Sequence, residues 1–236
     1  MDWFPHIYML CNPEKEPLRY ETLKNHFKSR GIPSDKVHWV KSIWGSELTS
    51  EQVFSAYDPF HHRFGMKENL SFQSLALSRG EVSLTLTFRE AMRQILEAGH
   101  EISIVFESDI FLREDFLPRL ETVLKECATA ENADWDYISL GEGVGTRPTG
   151  CQGLSYFCET KLYVPPHQFV FRCCDSMVFR RKFLEKVWQT FIPVRECLDW
   201  EMNIQLMIHR GVARWVDPPL AEPGTGRGRY PSSLPT

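Results

Sequence analysis

The chain is predicted to be an α/β protein built as one layered domain, and three observations predict it. Short apolar segments of strand length alternate with amphipathic segments of helix length along the chain. The first three such segments form a strand–helix–strand unit, which closes most readily as a parallel pair with a right-handed crossover. The 236 residues are enough for one sizeable core and too few for two comfortable domains.

The elements follow in order. His6-Ile7-Tyr8-Met9-Leu10 is an apolar strand closed by Cys11-Asn12-Pro13. A helix is expected from Pro17 to Arg30, with Pro17 in its first turn, Leu18, Leu23 and Phe27 on one face, and Gly31 ending it. Val37-His38-Trp39-Val40 is a second short strand, and residues 45–79 show no single period. Between Glu81 and Ala98, Leu84, Phe88, Ala91, Met92 and Ile95 recur at helical spacing, and Gly99 caps that helix. Ile102–Phe106 is a buried strand. A helix from about Asp115 carries Phe116, Leu120, Val123, Leu124 and Cys127 on one face. Asp136–Leu140 is a strand, and the Gly- and Pro-rich residues 141–167 are a long loop of the kind that is usually functional or mobile. Gln168–Phe179 is a strand region leading into a helix through Trp188. Asp199 is expected to cap a helix running to Arg210 with Gly211 at its end, and Ala213–Val216 is the last strand. The tail from Pro218 is irregular.

Composition narrows the function classes. The chain is 42% hydrophobic and 25% charged, with a formal net charge of −4, so it lacks the basic balance of a general nucleic-acid binder. No apolar run approaches the roughly 20 residues that span a bilayer, and Met1-Asp2-Trp3-Phe4-Pro5 lacks the basic flank and apolar core of a signal peptide. These features predict a cytoplasmic chain without a transmembrane segment. The seven cysteines are odd in number and form no zinc-type pair of C-x-x-C units. Cys127, Cys173 and Cys174 read as small core residues. Cys151 and Cys158 flank a loop and would pair only under oxidising conditions.

The chemistry concentrates where the strand 102–106 ends. Glu107 and Asp109 follow it one residue apart. Acids are costly beside a core unless something pairs with them, and the carboxyl edge of an open α/β sheet is where ligands bind. Two carboxylates at that spacing can share a hard cation such as Mg²⁺ or Mn²⁺, although an acid-x-acid triplet is by itself more often a solvated loop.

Several segments, in order, resemble glycosyltransferase family 25, the lipopolysaccharide and collagen galactosyltransferase-like group. They are Ile7–Leu10 through Arg19, Leu23, Gly31 and Val40 to Gly45; Leu77-Ser78-Arg79-Gly80-Glu81-Val82-Ser83-Leu84; Phe106-Glu107-Ser108-Asp109-Ile110; Ser176–Arg181; Leu198-Asp199-Trp200-Glu201; and Asp217-Pro218-Pro219-Leu220 through Ser232. Two positions depart from the family's pattern. Ser108 stands where the family has Asp, and Thr87-Phe88 or a neighbouring pair stands where it has Ser-His. The resemblance implies a GT-A-type single domain over 1–236. In it, a Rossmann-like nucleotide-binding half (about 1–112) is fused to an acceptor-binding half (about 113–236) around one mixed sheet.

It also implies a metal-dependent, inverting glycosyltransferase that moves galactose or glucose from a UDP-sugar to a glycan or hydroxylated acceptor. Asp109 is then the main ligand of Mn²⁺ or Mg²⁺. Glu107 is a second ligand or accepts from the donor's ribose or sugar, and Ser108 lies beside them on the donor side. Direct displacement needs a base, for which Asp199 is the first candidate and Glu201 the second; a purely structural cap is the other reading of Asp199, and a helix N-terminus would weaken it as a base. Glu81 is a donor contact or a helix-dipole acid. Arg19 reaches a phosphate or base, or is a surface Arg. Arg227 and Arg229, among Gly224, Gly226 and Gly228, close over the diphosphate or belong to a frayed tail. His209 is a weaker third ligand, His61, His62 and His167 weaker still, and Trp44 and Trp200 are candidate stacking platforms. The alternatives are a nucleotidyltransferase or metal-dependent nucleotide hydrolase using the same acids, and a non-catalytic nucleotide- or glycan-binding module. A monomer or weak homo-oligomer is expected.

Overall fold

A computed structural model describes residues 3–41, 44–59, 77–129, 131–141, 161–165, 173–225 and 228–229. In chain order these form β1 (His6–Leu10), α1 (Pro17–Ser29), β2 (Val37–Trp39), α2 (Ser50–Ala56), α3 (Arg79–Ala98), β3 (Ile102–Glu107), β4 (Ile110–Leu112) and α4 (Phe116–Cys127). There follow β5 (Tyr137–Ser139), β6 (Lys161–Tyr163), β7 (Ser176–Arg180), α5 (Arg181–Thr190), α6 (Leu198–His209), β8 (Ala213–Asp217) and β9 (Ala221–Pro223). Seven strands make one mixed sheet in the order β2-β1-β3-β7-β5-β8-β6, and β4 pairs with β9. The expected α/β class is therefore observed.

β2, β1 and β3 are parallel, β7 is antiparallel to both its neighbours, and β8 runs parallel to β5. The carboxyl ends of β1, β2, β3, β5 and β8 thus share one edge, and β7 begins there. Side-chain alternation sends Ile7, Met9, Ile104, Phe106, Ile138 and Val178 to a core shared with α1 and α4. It sends Tyr8, Leu10, Val105, Tyr137, Met177 and Phe179 to a second core beneath α3, α5 and α6. A sheet buried on both faces explains why β3 reads as a continuous apolar run.

α3 carries its own start and stop. Ser78 accepts from the Glu81 N–H (3.2 Å) and Glu81 accepts from the Ser78 N–H (2.7 Å), a reciprocal capping box. Gly99 ends the helix at φ 71°, a left-handed conformation that a side chain would disfavour. Gly45 packs so closely on this start that a Cβ there would lie 3.0 Å from the backbone of Arg79 and Gly80.

Several expectations need correction. Cys197, not Asp199, occupies the N-cap of α6, and Asp199 lies within its first turn. The left-handed residue after α6 is Arg210 (φ 49°). Gly211 is needed instead for close packing, since its Cβ would meet Phe183 and Leu206 at 2.7 and 2.8 Å. β7 begins at Ser176, so Cys173 and Cys174 precede the strand, with Cys173 at φ 58°. The mixed stretch 45–79 contains α2, which starts with a Thr49/Gln52 capping box. The tail contributes β9. Most of the loop 141–167, including Cys151 and Cys158, lies outside the described residues, as do His61, His62, His167 and Arg227.

Candidate active site

The register assembles the site. β1 and β3 align Leu10 with Glu107. Continuing the β3–β7 and β5–β7 registers places Asp175 opposite Glu107 and Gly141 opposite Asp175, and the Glu107 N–H donates to the Asp175 carbonyl (3.1 Å). Glu107 and Asp175 continue the alternation of Val105 and Met177, so both project to the α6 side of the sheet. Asp199, in the first turn of α6, stands over them. Asp109 completes the set from the turn after β3.

Carboxylates from three separated segments therefore converge on Glu107. Glu107 is pushed well above the usual carboxylate range, first by loss of water around it and then by Asp199, Asp109 and Asp175, while Arg19 pulls the other way. Asp199 is also raised, by burial, although it accepts hydrogen bonds from the Cys174 thiol and backbone. The direction is opposite to the lowering expected of a helix N-terminus, because desolvation outweighs the Cys174 hydrogen bonds. Cys174 is buried and its thiol is held protonated by burial and by Asp199 and Glu107.

Gly141 makes room for Asp175. A Cβ at 141 would lie 2.7 Å from Ser176 Oγ and 2.9 Å from Asp175 Cγ, and closer still to Asp175 Oδ1. Ser176 Oγ in turn donates to that same Oδ1 (2.9 Å).

The C-terminal segment closes one side. The Gly224 N–H donates to the Asp109 carbonyl (2.7 Å) and the Thr225 N–H to Asp109 Oδ2 (2.8 Å). β9 pairs with β4 immediately after the acidic turn. Gly224 and Thr225 are thus fixed onto Asp109. Arg229 pairs with Glu222 (3.0 Å) and stacks over Phe111 (4.4 Å), so its guanidinium is turned onto β4 and β9.

Ser108 joins the turn to α1. Arg19 donates to Ser108 Oγ (2.8 Å) and pairs with Glu16 (3.1 Å), and Ser108 donates to Glu16 Oε1 (2.9 Å). Glu16, the residue before α1, places a carboxylate beside Ser108. Arg19 is drawn into this network from α1 and also acts on Glu107.

Two candidates belong elsewhere. Glu201 is fully buried and satisfied by Arg195, through its backbone N–H (2.9 Å) and an ion pair, and by Gln205 (2.9 Å). This is a structural lock between α6 and the segment before it, and it leaves no lone pair turned toward the acids. His209 shares a hydrogen bond with Thr190 Oγ1 (2.8 Å) on α5. Glu81 is the capping acid already described. Trp200, beside Asp199, is 51% exposed, so its ring is available to a ligand.

A cleft of about 850 Å³ opens beside β1 and α3, with Asn12, Lys15, Lys41, Gln52 and Arg89 on its walls. Lys15 and Lys41 are paired there with Glu47 and Glu14. Asn12 connects the cleft to the acidic turn, because its N–H reaches Glu16 (3.4 Å), which holds Ser108.

Asp175, Glu16 and Cys174 are the site residues that sequence reasoning missed. An available signal was Asp175 standing directly before the apolar run Ser176–Phe179, the mirror image of Glu107 standing after Phe106.

No known protein-family profile matches the chain. Procollagen galactosyltransferase 1-A of Xenopus laevis is similar to it, at 33% identity over 110 residues. That match covers 43% of this chain and 16% of the Xenopus protein, so the chain spans a small part of its relative's length. A galactosyltransferase relative and a seven-stranded mixed sheet flanked by helices are compatible with a glycosyltransferase-like fold.

Proposed function

We propose that this chain is a glycosyltransferase that moves a hexose, galactose or glucose, from a UDP-sugar to a hydroxyl of a glycan or hydroxylated acceptor, with inversion. The observation that carries the reading is the carboxylate group Glu107, Asp109, Asp175 and Asp199 gathered at the carboxyl edge of the sheet. The similarity to a galactosyltransferase selects sugar transfer among the reactions such a group could serve.

The donor set is made of carboxylate oxygens, and Glu107 is raised first by burial and then by Asp199, Asp109 and Asp175. By charge and donor type it fits a hard divalent cation, Mn²⁺ or Mg²⁺, with Asp109 and Glu107 as ligands. Such an ion, when bound, stabilises negative charge on a leaving diphosphate. The residues themselves do the rest. The cleft beside Asn12 is of a size that accepts a nucleotide sugar, and Lys15 and Lys41 can exchange their carboxylate partners for phosphate. Asp199 takes the proton from the acceptor hydroxyl as its oxygen bonds to the anomeric carbon and the bond to the diphosphate breaks. The raised affinity of Asp199 for a proton suits that role. Trp200 offers its face to the acceptor ring.

The test is release of UDP from UDP-galactose and UDP-glucose, with Mn²⁺ or chelator, with and without acceptor sugars. Metal-dependent release is expected, accelerated by one class of acceptor. Asp199→Asn should slow turnover about 100-fold or more while UDP affinity stays within about threefold. Equal loss of both would refute the base assignment, and release unaffected by acceptor would make the chain a nucleotide hydrolase.

A further inference from the structure

Three imidazoles gather on β1, β2 and the turn before β3. His6 opens β1, His38 lies in β2 opposite Tyr8, and His100 stands in the turn between α3 and β3. One ligand atom from each lies within 4.8 Å of those of the other two. Among the described residues no other group of three His, Cys, Asp or Glu side chains meets that distance. All three are half-buried, which shields them from bulk water and leaves them reachable. His6 Nδ1 and His38 Nε2 are 2.8 Å apart, and the rings of His6 and His100 stack at 3.6 Å and 14°. Tyr8 bonds His100 Nδ1 through its hydroxyl (2.9 Å), and Lys36 Nζ reaches His6 Nε2 (3.3 Å).

We propose that His6, His38 and His100 form a three-nitrogen site for a borderline transition-metal ion, Zn²⁺ being the reference case, that ties β1, β2 and the entry to β3 together. Three neutral imidazoles suit Zn²⁺, and a half-exposed site leaves a fourth position for water. The carboxyl edge with its oxygen donors lies at the other end of the same strands and suits a harder ion.

The arrangement dictates how the site closes. Two rings 14° from parallel cannot both aim a lone pair at one ion, so His6 or His100 must turn about χ2, a soft torsion for imidazole. The Lys36 ammonium donates to His6 Nε2 and so keeps the His6 proton on Nδ1, the nitrogen facing His38. Coordination through Nδ1 shifts that proton to Nε2 and releases Lys36. Tyr8 stays on His100 Nδ1 as an outer partner and leaves Nε2 for the ion. Lys36 therefore opposes the ion and the histidines recruit it.

The experiment uses the full chain without a polyhistidine tag, stripped with chelator. Zn²⁺ alone is titrated by calorimetry, and Co²⁺ alone is followed by its visible absorption. One saturable ion per chain is expected, with a cobalt spectrum of nitrogen coordination. His38→Gln and His100→Gln should each weaken it about 10-fold or more, Lys36→Met should tighten it, and Asp109→Asn should leave it unchanged. Absence of saturable 1:1 binding by the unaltered chain overturns the proposal, as does Zn²⁺ affinity that survives both histidine substitutions. Lys36→Met keeps every ligand, so an affinity it does not raise overturns the proposed closure even if a histidine variant misfolds.

Discussion

Replacing Gly141 by alanine probes the carboxylate row without touching a carboxylate. The new Cβ would lie 2.7 Å from Ser176 Oγ and 2.9 Å from Asp175 Cγ, both closer than real Cβ contacts. Asp175 is 3% exposed, so its carboxylate has little open space to retreat into, and moving it also strains the bond from Ser176. Overpacking of this kind costs about 1 to 3 kcal/mol, or roughly 2 to 12 °C in melting temperature for a chain of this length. Displacing a site group by a substantial fraction of an ångström should lower turnover by up to about 100-fold. The assay pairs thermal melting with UDP release under saturating donor. A second variant sharpens it. In Asp175→Ala the clashing carboxylate is gone, so adding Gly141→Ala to it should cost much less than adding it to the unaltered chain, a coupling expected only between groups in contact. Strictly additive stability losses, or full activity in the folded Gly141→Ala protein, would refute the packing argument.

Other perturbations follow from the same geometry. Glu107→Gln removes one of the mutually repelling acids. Because Glu107 holds its proton more tightly when folded, its contribution is full at acid pH and lost as pH rises through the raised value. The variant should gain about 0.5 to 2 kcal/mol at pH 8 while losing turnover, and urea midpoints that show no gain would contradict it. His26 accepts from the Leu112 N–H (2.8 Å) and is lowered from 6.5 to about 4, chiefly by burial and then by Arg30 and Arg229. The unfolded chain therefore binds the proton first, so stability is whole above pH 6.5 and falls as pH drops toward 4. His26→Gln, which keeps an acceptor for that N–H, should flatten this decline by about 3 kcal/mol at most; an unchanged slope would show that His26 is not its source. Glu81→Ala should cost about 1 kcal/mol through the lost capping box and leave donor affinity unchanged, and a weakened donor would return Glu81 to the binding site.

What was legible in the sequence was what local pattern can encode. β1, α1, α3 and β3 follow from apolar periodicity and their stops, and the acids at 107 and 109 stand out because they interrupt an apolar run. What escaped needed register. Asp175 stands before its apolar run as Glu107 stands after one, but the two meet only because β7 runs antiparallel beside β3, and the local sequence does not encode that pairing. β4 and β9 are three residues each, too short for alternation to emerge, and they hold together because each finds the other's backbone. Asp199 was legible both as the first base candidate and as a cap; it lies inside the first turn of α6, where it accepts from Cys174. Glu201, two residues on and the second candidate, is turned inward to Arg195 by the helix.

The acidic edge opposes folding, and that constrains what it is for. Glu107 and Asp199 are both raised, so each carries an energetic cost at neutral pH that a neutral side chain would avoid. Structural acids in this protein look different, since Glu201 is met by a guanidinium and Glu81 by the backbone N–H of Ser78. At the edge, Arg19 is the one cation among the described residues acting on Glu107, and it already serves Glu16 and Ser108. The backbone donors of Gly224 and Thr225 satisfy Asp109 without adding a positive charge. A site built this way gains stability when positive charge enters it and loses stability when it stands empty. The melting temperature should therefore rise on adding Mn²⁺ with UDP, and the rise should shrink in Glu107→Gln, where the repulsion is already relieved. A rise of equal size in that variant would separate ligand binding from the acid group and leave the carboxylates without a functional reason to be there.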